Sequence, residues 1–193
     1  MHCPVCRTLA LNPTQLDSTL PAQSCAQCSG IWIASTDYWA WLDQQPEAIS
    51  ADSATAEAQA AAEDAKAKRC PGCGYLQLRY RIALDLPFML DQCGHCNSFW
   101  LDQGEWAALR QRGLHTQLHK VTTDAWQRRL RQEASRRAWE AIYTEKFGAD
   151  DYAEIRRVKD WLRQHPARQM LLAYLAHDDP YAIINAPSYG SSE

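Results

Sequence analysis

The chain has 193 residues, with 20 Lys+Arg against 23 Asp+Glu, a formal net charge of −3, 46% hydrophobic residues and a mean hydropathy of −0.48. That length holds one ordinary domain or two or three very small ones, and no apolar run approaches the roughly 18 residues of a membrane-crossing helix. The opening Met1-His2-Cys3-Pro4-Val5-Cys6-Arg7 lacks the basic flank and apolar core of a secretory signal. The expected location is therefore the cytoplasm, where thiols stay reduced.

All eight cysteines fall in Cys-x-x-Cys pairs: Cys3/Cys6, Cys25/Cys28, Cys70/Cys73 and Cys93/Cys96. In a reducing compartment such pairs read as metal ligands or redox centres rather than disulfides. They belong to a repeat offset by 67 to 68 residues, in which Cys25, Cys28 and Trp32 match Cys93, Cys96 and Trp100. Leu9 and Leu11 fall opposite Leu76 and Leu78, Asp37 opposite Glu105, and Tyr38 opposite Trp106. Two copies are too few for a stacked solenoid and suggest duplicated, self-contained units.

In chain order, residues 1–42 form the first unit, ending in a short helix. Residues 43–69 form a spacer in which ten of 27 positions are alanine, and Ala54 to Lys68 reads as a solvated helix. Residues 70–112 form the second unit. Within it Tyr75 to Ile82 alternates as a half-buried strand does, Leu86 to Leu90 gives a strand entering Cys93, and Glu105 to Arg112 gives a short helix closed by Gly113. Residues 113–178 read as a helical domain. A helix from Thr123 to Phe147, ended by Gly148, places Trp126, Leu130, Ala134, Ala138, Ala141 and Ile142 on one face. Asp151-x-x-Glu154 resembles a capping box opening a helix with Tyr152, Ile155, Val158, Trp161 and Leu162 on its face. His165-Pro166 breaks that helix and starts another, with Met170, Leu171, Tyr174 and Leu175 as its buried side. Residues 179–193 read as a flexible tail. The fold class expected is thus a small metal-stabilised β region of two hairpin units followed by an all-α C-terminal domain.

The cysteine spacings are C-x2-C-x18-C-x2-C and C-x2-C-x19-C-x2-C. Two thiolates on one tight turn occupy two corners of a tetrahedron, and a second turn brought over by a hairpin supplies the other two. Pro4 and Pro71 pre-set the turn after each first cysteine, and Gly30, Gly74 and Gly94 allow the backbone to close around sulfur. The expected cofactors are two Zn²⁺ ions, one on Cys3, Cys6, Cys25 and Cys28 and one on Cys70, Cys73, Cys93 and Cys96. Units of this size cannot build a sufficient core, and structural zinc supplies roughly 10–16 kcal/mol of apparent binding energy. A four-sulfur shell is closed to water and substrate, so hydrolysis is not expected. His2 and His95 beside the ligands read as exposed turn residues. Tetrahedral sulfur also suits iron, as in rubredoxin, and ligand type alone does not decide between the metals. A dithiol redox role needs a strand-to-helix context that these hairpins lack.

Cys3-Pro4-Val5-Cys6 with Cys25-Ala26-Gln27-Cys28-Ser29-Gly30-Ile31-Trp32 resembles the bacterial TFIIB-type zinc-ribbon (transcription-factor zinc-finger) family. Cys70-Pro71-Gly72-Cys73 with Cys93-Gly94-His95-Cys96 and the following Trp100-Leu101-Asp102-Gln103-Gly104-Glu105 resembles it more closely. The first copy has Ala34-Ser35-Thr36-Asp37 where the family's Leu-Asp-x-Gly-Glu run falls. The resemblance covers roughly 80 of the 193 residues. It implies two rubredoxin-like zinc ribbons, and it says little about process, since a ribbon can grip protein, DNA or RNA.

Residues 1–104 carry 6 basic and 11 acidic side chains, and residues 105–193 carry 14 and 12. Eight thiolates on two Zn²⁺ take the loaded chain to about −7, which opposes non-specific phosphate binding. Arg128, Arg129, Arg131, Arg136 and Arg137 are the exception and read as a solvated flank with partners such as Arg129–Glu133 and Arg136–Glu140. Of eight tryptophans, Trp32 and Trp100 are expected to cover the metal turns. Trp39 and Trp41, hard to bury in so small a unit, are expected to dock on the helical domain or on a partner, with Arg128, Arg129 and Arg136 as further candidate contacts. His115 and His119 lie at i,i+4 without a metalloprotease glutamate and read as exposed. The function expected is a non-catalytic, zinc-binding adaptor or regulator with a protein partner, with transcription as its setting. The rivals are a nucleic-acid-binding zinc finger and a dithiol chaperone or oxidoreductase.

Overall fold

A computed structural model describes residues 1–7, 10–45 and 66–177. Most of the spacer, Leu9 and the C-terminal tail lie outside the described residues. Two compact units are seen, residues 1–135 and residues 136–193, and the division falls within one long helix.

The first unit is built on one antiparallel sheet of six strands: β1 (Asn12–Leu16), β2 (Leu20–Ser24), β3 (Ile31–Ile33), β4 (Gln77–Arg81), β5 (Met89–Cys93) and β6 (Phe99–Leu101). Their spatial order is β1-β2-β3-β6-β5-β4. Each ribbon contributes three strands, and the two join where β3 and β6 pair Ile31 with Leu101, Trp32 with Trp100 and Ile33 with Phe99. The ribbons are therefore not the self-contained units that the repeat suggests. Strands of three residues leave backbone donors and acceptors unpaired at the end of each ribbon, and each satisfies them on the other.

Side chains alternate across this joint. Ile31, Ile33, Phe99 and Leu101 face the main core with α1 (Ser35–Leu42), α2 (Glu105–Gln111), a 3-10 turn at His115–Gln117 and α3 (Leu118–Val121). Trp32 and Trp100 face the opposite side, with the sulfurs. Tyr38 on α1 is fully buried; its hydroxyl donates to the His115 carbonyl (3.0 Å) and accepts the Leu118 N–H (3.1 Å). The start of α4 (Asp124–Phe147) is tied to β4 and its end by Trp126 Nε1 donating to the Ile82 carbonyl (3.0 Å) and Gln127 Nε2 to the Arg81 carbonyl (2.8 Å). Residues 113–135 thus complete the ribbon core, with Leu118, Val121 and Leu130 buried, rather than opening a separate helical domain at 113.

The alternation holds at the far end of β4, where Tyr80 packs on the core and Ile82 is fully buried, but is reversed at its start. Gln77 is buried, while Leu76 and Leu78 are more than half exposed. On α4 the alanine face is also exposed, and Leu130 is the one buried residue of that helix.

In the second unit, α4 ends at Phe147, α5 spans Ala149–Gln164 and α6 spans Arg168–Leu175. Gly148, with a φ of 84°, caps α5, so Asp151 is the third residue of the helix and not its cap. Leu162 is the buried residue among those described in this unit.

Candidate metal centres

Each ribbon presents two cysteine turns to one point. In all four the residue after the second cysteine takes a left-handed conformation: Arg7 (φ 65°), Ser29 (φ 55°), Gly74 (φ 79°) and Asn97 (φ 57°). The amide of each of these residues returns to the carbonyl of the first cysteine of its pair, at 2.8–2.9 Å. Left-handed backbone thus falls on Gly74 alone among the glycines read from the sequence as turn formers.

The sulfurs of Cys3, Cys6, Cys25 and Cys28 lie within 4.8 Å of one another, as do those of Cys70, Cys73, Cys93 and Cys96. Across the first quartet Cys3–Cys28 and Cys6–Cys25 are 3.6 and 3.9 Å apart; in the second, Cys70–Cys96, Cys73–Cys93 and Cys73–Cys96 are 3.6, 3.4 and 3.5 Å. A tetrahedral ZnS₄ centre with Zn–S near 2.3 Å has sulfur–sulfur edges of about 3.8 Å. The quartets fit zinc, and each can hold one ion.

The ionisation of the thiols points the same way. Burial opposes charge on Cys25, but the backbone amides of Cys28 and Gln27 and the neighbouring thiols outweigh it and bring its pKa to about 7. Cys96 also comes to about 7, burial there being outweighed by the Ser98 hydroxyl and amide. Burial, reinforced by neighbouring sulfurs, pushes Cys6 and Cys28 up. At Cys73 a bond from the Tyr75 amide favours the thiolate, but burial and the neighbouring sulfurs together outweigh it and push the pKa up to about 12. Cys25 and Cys96 thus ionise readily while Cys6, Cys28, Cys73 and Cys93 resist; a divalent cation removes that conflict and lets each quartet become thiolate.

The two centres share their covers. Trp32 and Trp100 shield the metal turns as expected, but crosswise. A methyl added at Gly30 of the first ribbon would lie 2.2 Å from Cζ2 of Trp100, and one at Gly72 of the second would lie 2.8 Å from Cζ2 of Trp32. Ser98, at the repeat position of Gly30, instead lies 3.1 Å from both Cys70 Sγ and Cys96 Sγ.

Beside the second centre lies a buried charge network that sequence reasoning missed. Lys68, 4% exposed, donates to Asp91 (2.7 Å) and Asp102 (2.6 Å). The second oxygen of Asp102 accepts the Trp100 indole N–H (2.8 Å), and Glu105 accepts the Asp102 amide (2.9 Å). Although burial acts against charge on Lys68, the two carboxylates outweigh it and raise its pKa. The Asp-x-Gly-Glu run in ribbon 2 is thus a structural clasp.

The other candidates separate. Trp41 is 2% exposed and packs on Trp106 and His115, so of the two placements expected it takes the helices and offers no exposed face to a partner. The small first unit buries it by lending it to the helices of the second repeat. Trp39 remains half exposed, with its ring 4.7 Å from His119. His115 and His119 are half-buried against these indoles rather than exposed, and burial lowers both pKa values. His2 and His95 are exposed, and His95 stacks on Tyr75 at 4.2 Å. Arg128, Arg129 and Arg136 are exposed; Arg129 lies 4.4 Å over the Trp126 ring, and Arg128 donates to the Asp124 carbonyl. Glu140, read as the partner of Arg136, lies 3.8 Å from Arg156.

Residues 2–44 match the family model described as transcription factor zinc-finger, the TFIIB-type zinc ribbon. That segment contains the whole first quartet, and the second quartet repeats its pattern at residues 70–96. No curated protein and no solved structure matches the chain. The chain thus carries a TFIIB-type ribbon and a second four-cysteine centre, on antiparallel strands followed by helices. Among the described residues, no helix is long and apolar enough to cross a membrane.

Proposed function

We propose that this chain is a cytoplasmic, non-catalytic adaptor whose paired zinc ribbons bind a protein partner, with regulation connected to transcription as its setting. Closed four-sulfur shells support the non-catalytic part, since neither centre has a position for water or substrate.

The observation that carries the partner reading is the difference between the two copies at one repeat position. Leu11 in the first ribbon is 7% exposed, packed with Cys3, Cys25 and Trp32. Its counterpart Leu78 is 52% exposed and lies with exposed Leu76 and Tyr75 around a shallow hollow completed by Arg69 and His95. Leu78 lies on β4, an outer strand of the sheet, whose edge is met at Leu76 and Gln77 by Arg69 and Lys68. Past that bridge, an outer strand with apolar side chains offers main-chain pairing for affinity and side-chain hollows for specificity, the pattern by which extended peptides are bound.

The test is capture from extracts of the source cells, with zinc-loaded wild type and Leu76→Asp/Leu78→Asp as paired baits. A protein retained by wild type, lost from the variant and indifferent to nuclease supports the reading, provided the variant still holds two zinc ions. Retention that disappears with nuclease overturns it in favour of nucleic-acid binding, for which the exposed arginines of α4 would be the contacts.

A further inference from the structure

The second unit has little core. Trp161 is 53% exposed, Met170 76% and Leu175 60%, and Trp139, Tyr143 and Phe147 form an exposed ladder along the last turns of α4 with ring spacings of 5.8 and 5.6 Å. Between α5 and α6 lies an apolar groove of about 530 Å³, floored by Ile155, Val158, Leu162, Leu172 and Leu175. Helices this short draw most of their stability from covering such a face.

The charges around the groove indicate what covers it. α5 is acidic at its start (Asp150, Asp151, Glu154) and mainly basic further on (Arg156, Arg157, Lys159 and Arg163, with Asp160 among them). On the rim itself Glu154 stands at one end, Lys159 midway, and Arg163 and Arg168 towards the other. Glu154 and Arg163 are about 13 Å apart along the helix axis. In a two-fold contact residue i meets j and j meets i, so an antiparallel copy of α5 brings each acidic end onto a basic end, with the apolar floor between. A uniformly acidic partner would meet Lys159, Arg163 and Arg168 but leave Glu154 facing like charge.

We propose that the α5–α6 groove is closed by the same groove of a second copy of this chain, with Glu154 of each copy meeting Arg163 and Arg168 of the other. The present partners within α5, Arg157 for Glu154 at 2.6 Å and Asp160 for Arg163 at 3.6 Å, are exposed surface pairs that exchange at little cost.

Sedimentation of the full, zinc-loaded chain across micromolar concentrations is the test. A reversible monomer–dimer equilibrium is expected, with Leu172→Asp monomeric and its helical circular dichroism retained. Glu154→Arg should weaken the dimer roughly tenfold, since the lost pair occurs twice, and Glu154→Arg/Arg163→Glu should recover most of that loss. Should Leu172→Asp lose helicity, the charge variants decide, because both side chains are exposed. A chain that stays monomeric throughout, or a double reversal no tighter than the single one, overturns the proposal.

Discussion

The indole of Trp100, in the second ribbon, lies directly on Gly30, in the first, with no room between them for a methyl group. Gly30 does not have positive φ; what it supplies is space. Gly30→Ala is expected to force Trp100 or the 25–30 turn aside and to cost about 1–3 kcal/mol, as overpacking generally does. Trp100→Ala, which empties a fully buried site, is expected to cost about 3–5 kcal/mol. The distinctive outcome is one of location. Although Trp100 belongs to the second repeat, its loss should speed alkylation of Cys25 and Cys28 in the first under limiting chelator, as read by mass spectrometry. Unchanged thiol protection at those two cysteines would contradict the crosswise packing.

Metal content should be two zinc ions per chain. Cys25→Ser and Cys93→Ser should each bring it below two. Because β3 and β6 share one joint, each should also raise the rate at which the untouched centre gives up zinc to a chelator. Time-resolved release with a chromophoric chelator measures this; two independent phases insensitive to the opposite substitution would contradict it.

Lys68 provides a third prediction. It sits between Asp91 and Asp102 with its side chain 3% exposed, so Lys68→Met leaves two carboxylates close together with their cation removed. Breaking a buried ion pair from one side costs about 3–5 kcal/mol. Denaturant unfolding of the zinc-loaded variant should show a loss of that size, and adding Asp91→Asn should recover part of it.

Glu105 provides a pH dependence. Burial, reinforced by the charge of Asp102 and opposed by the Asp102 amide and Lys68, moves its pKa from 4.5 to about 8. The folded state therefore favours the protonated carboxyl. That contribution is fully present below about pH 4.5, and it is lost as pH rises towards and through about 8. Glu105→Gln keeps an acceptor for the Asp102 amide and has no proton to lose. Between pH 6 and 9 wild type should lose stability relative to this variant, by on the order of a few kcal/mol. Thermal unfolding of both proteins across that range, zinc-loaded, is the measurement; parallel curves would contradict it.

The metal centres were legible because ligand chemistry is local: four sulfurs at C-x2-C spacing on two turns leave few other arrangements. The hairpins and the helix after Trp100 followed from alternation and from Gly113. What periodicity could not reveal was which face of β4 is inside. Leu76 and Leu78 continue the alternation of Tyr80 and Ile82, which do face the core, yet at this end Gln77 is the buried residue, opposite Cys93 in the ladder. Nor could it place Trp41, whose burial depends on Trp106 and His115 more than sixty positions away. The Lys68 network escaped for the same reason, since its members come from the spacer's end, β5 and the turn after β6. The cross-ribbon packing did leave a trace. At equivalent repeat positions Gly30 stands opposite Ser98 and Val5 opposite Gly72, so at each of these two positions one ribbon has a glycine where the other has a side chain. Read as a pair, that exchange of small residues marks a close approach between the copies.

The β3–β6 joint has a consequence for inheritance. Once two copies pair through three residues and exchange their tryptophans, neither can drift alone: a bulkier residue at 30 is admissible only with a smaller one at 100, and likewise at 72 and 32. A duplication that began as redundancy is thereby locked, and descendants of this chain should keep both halves or neither.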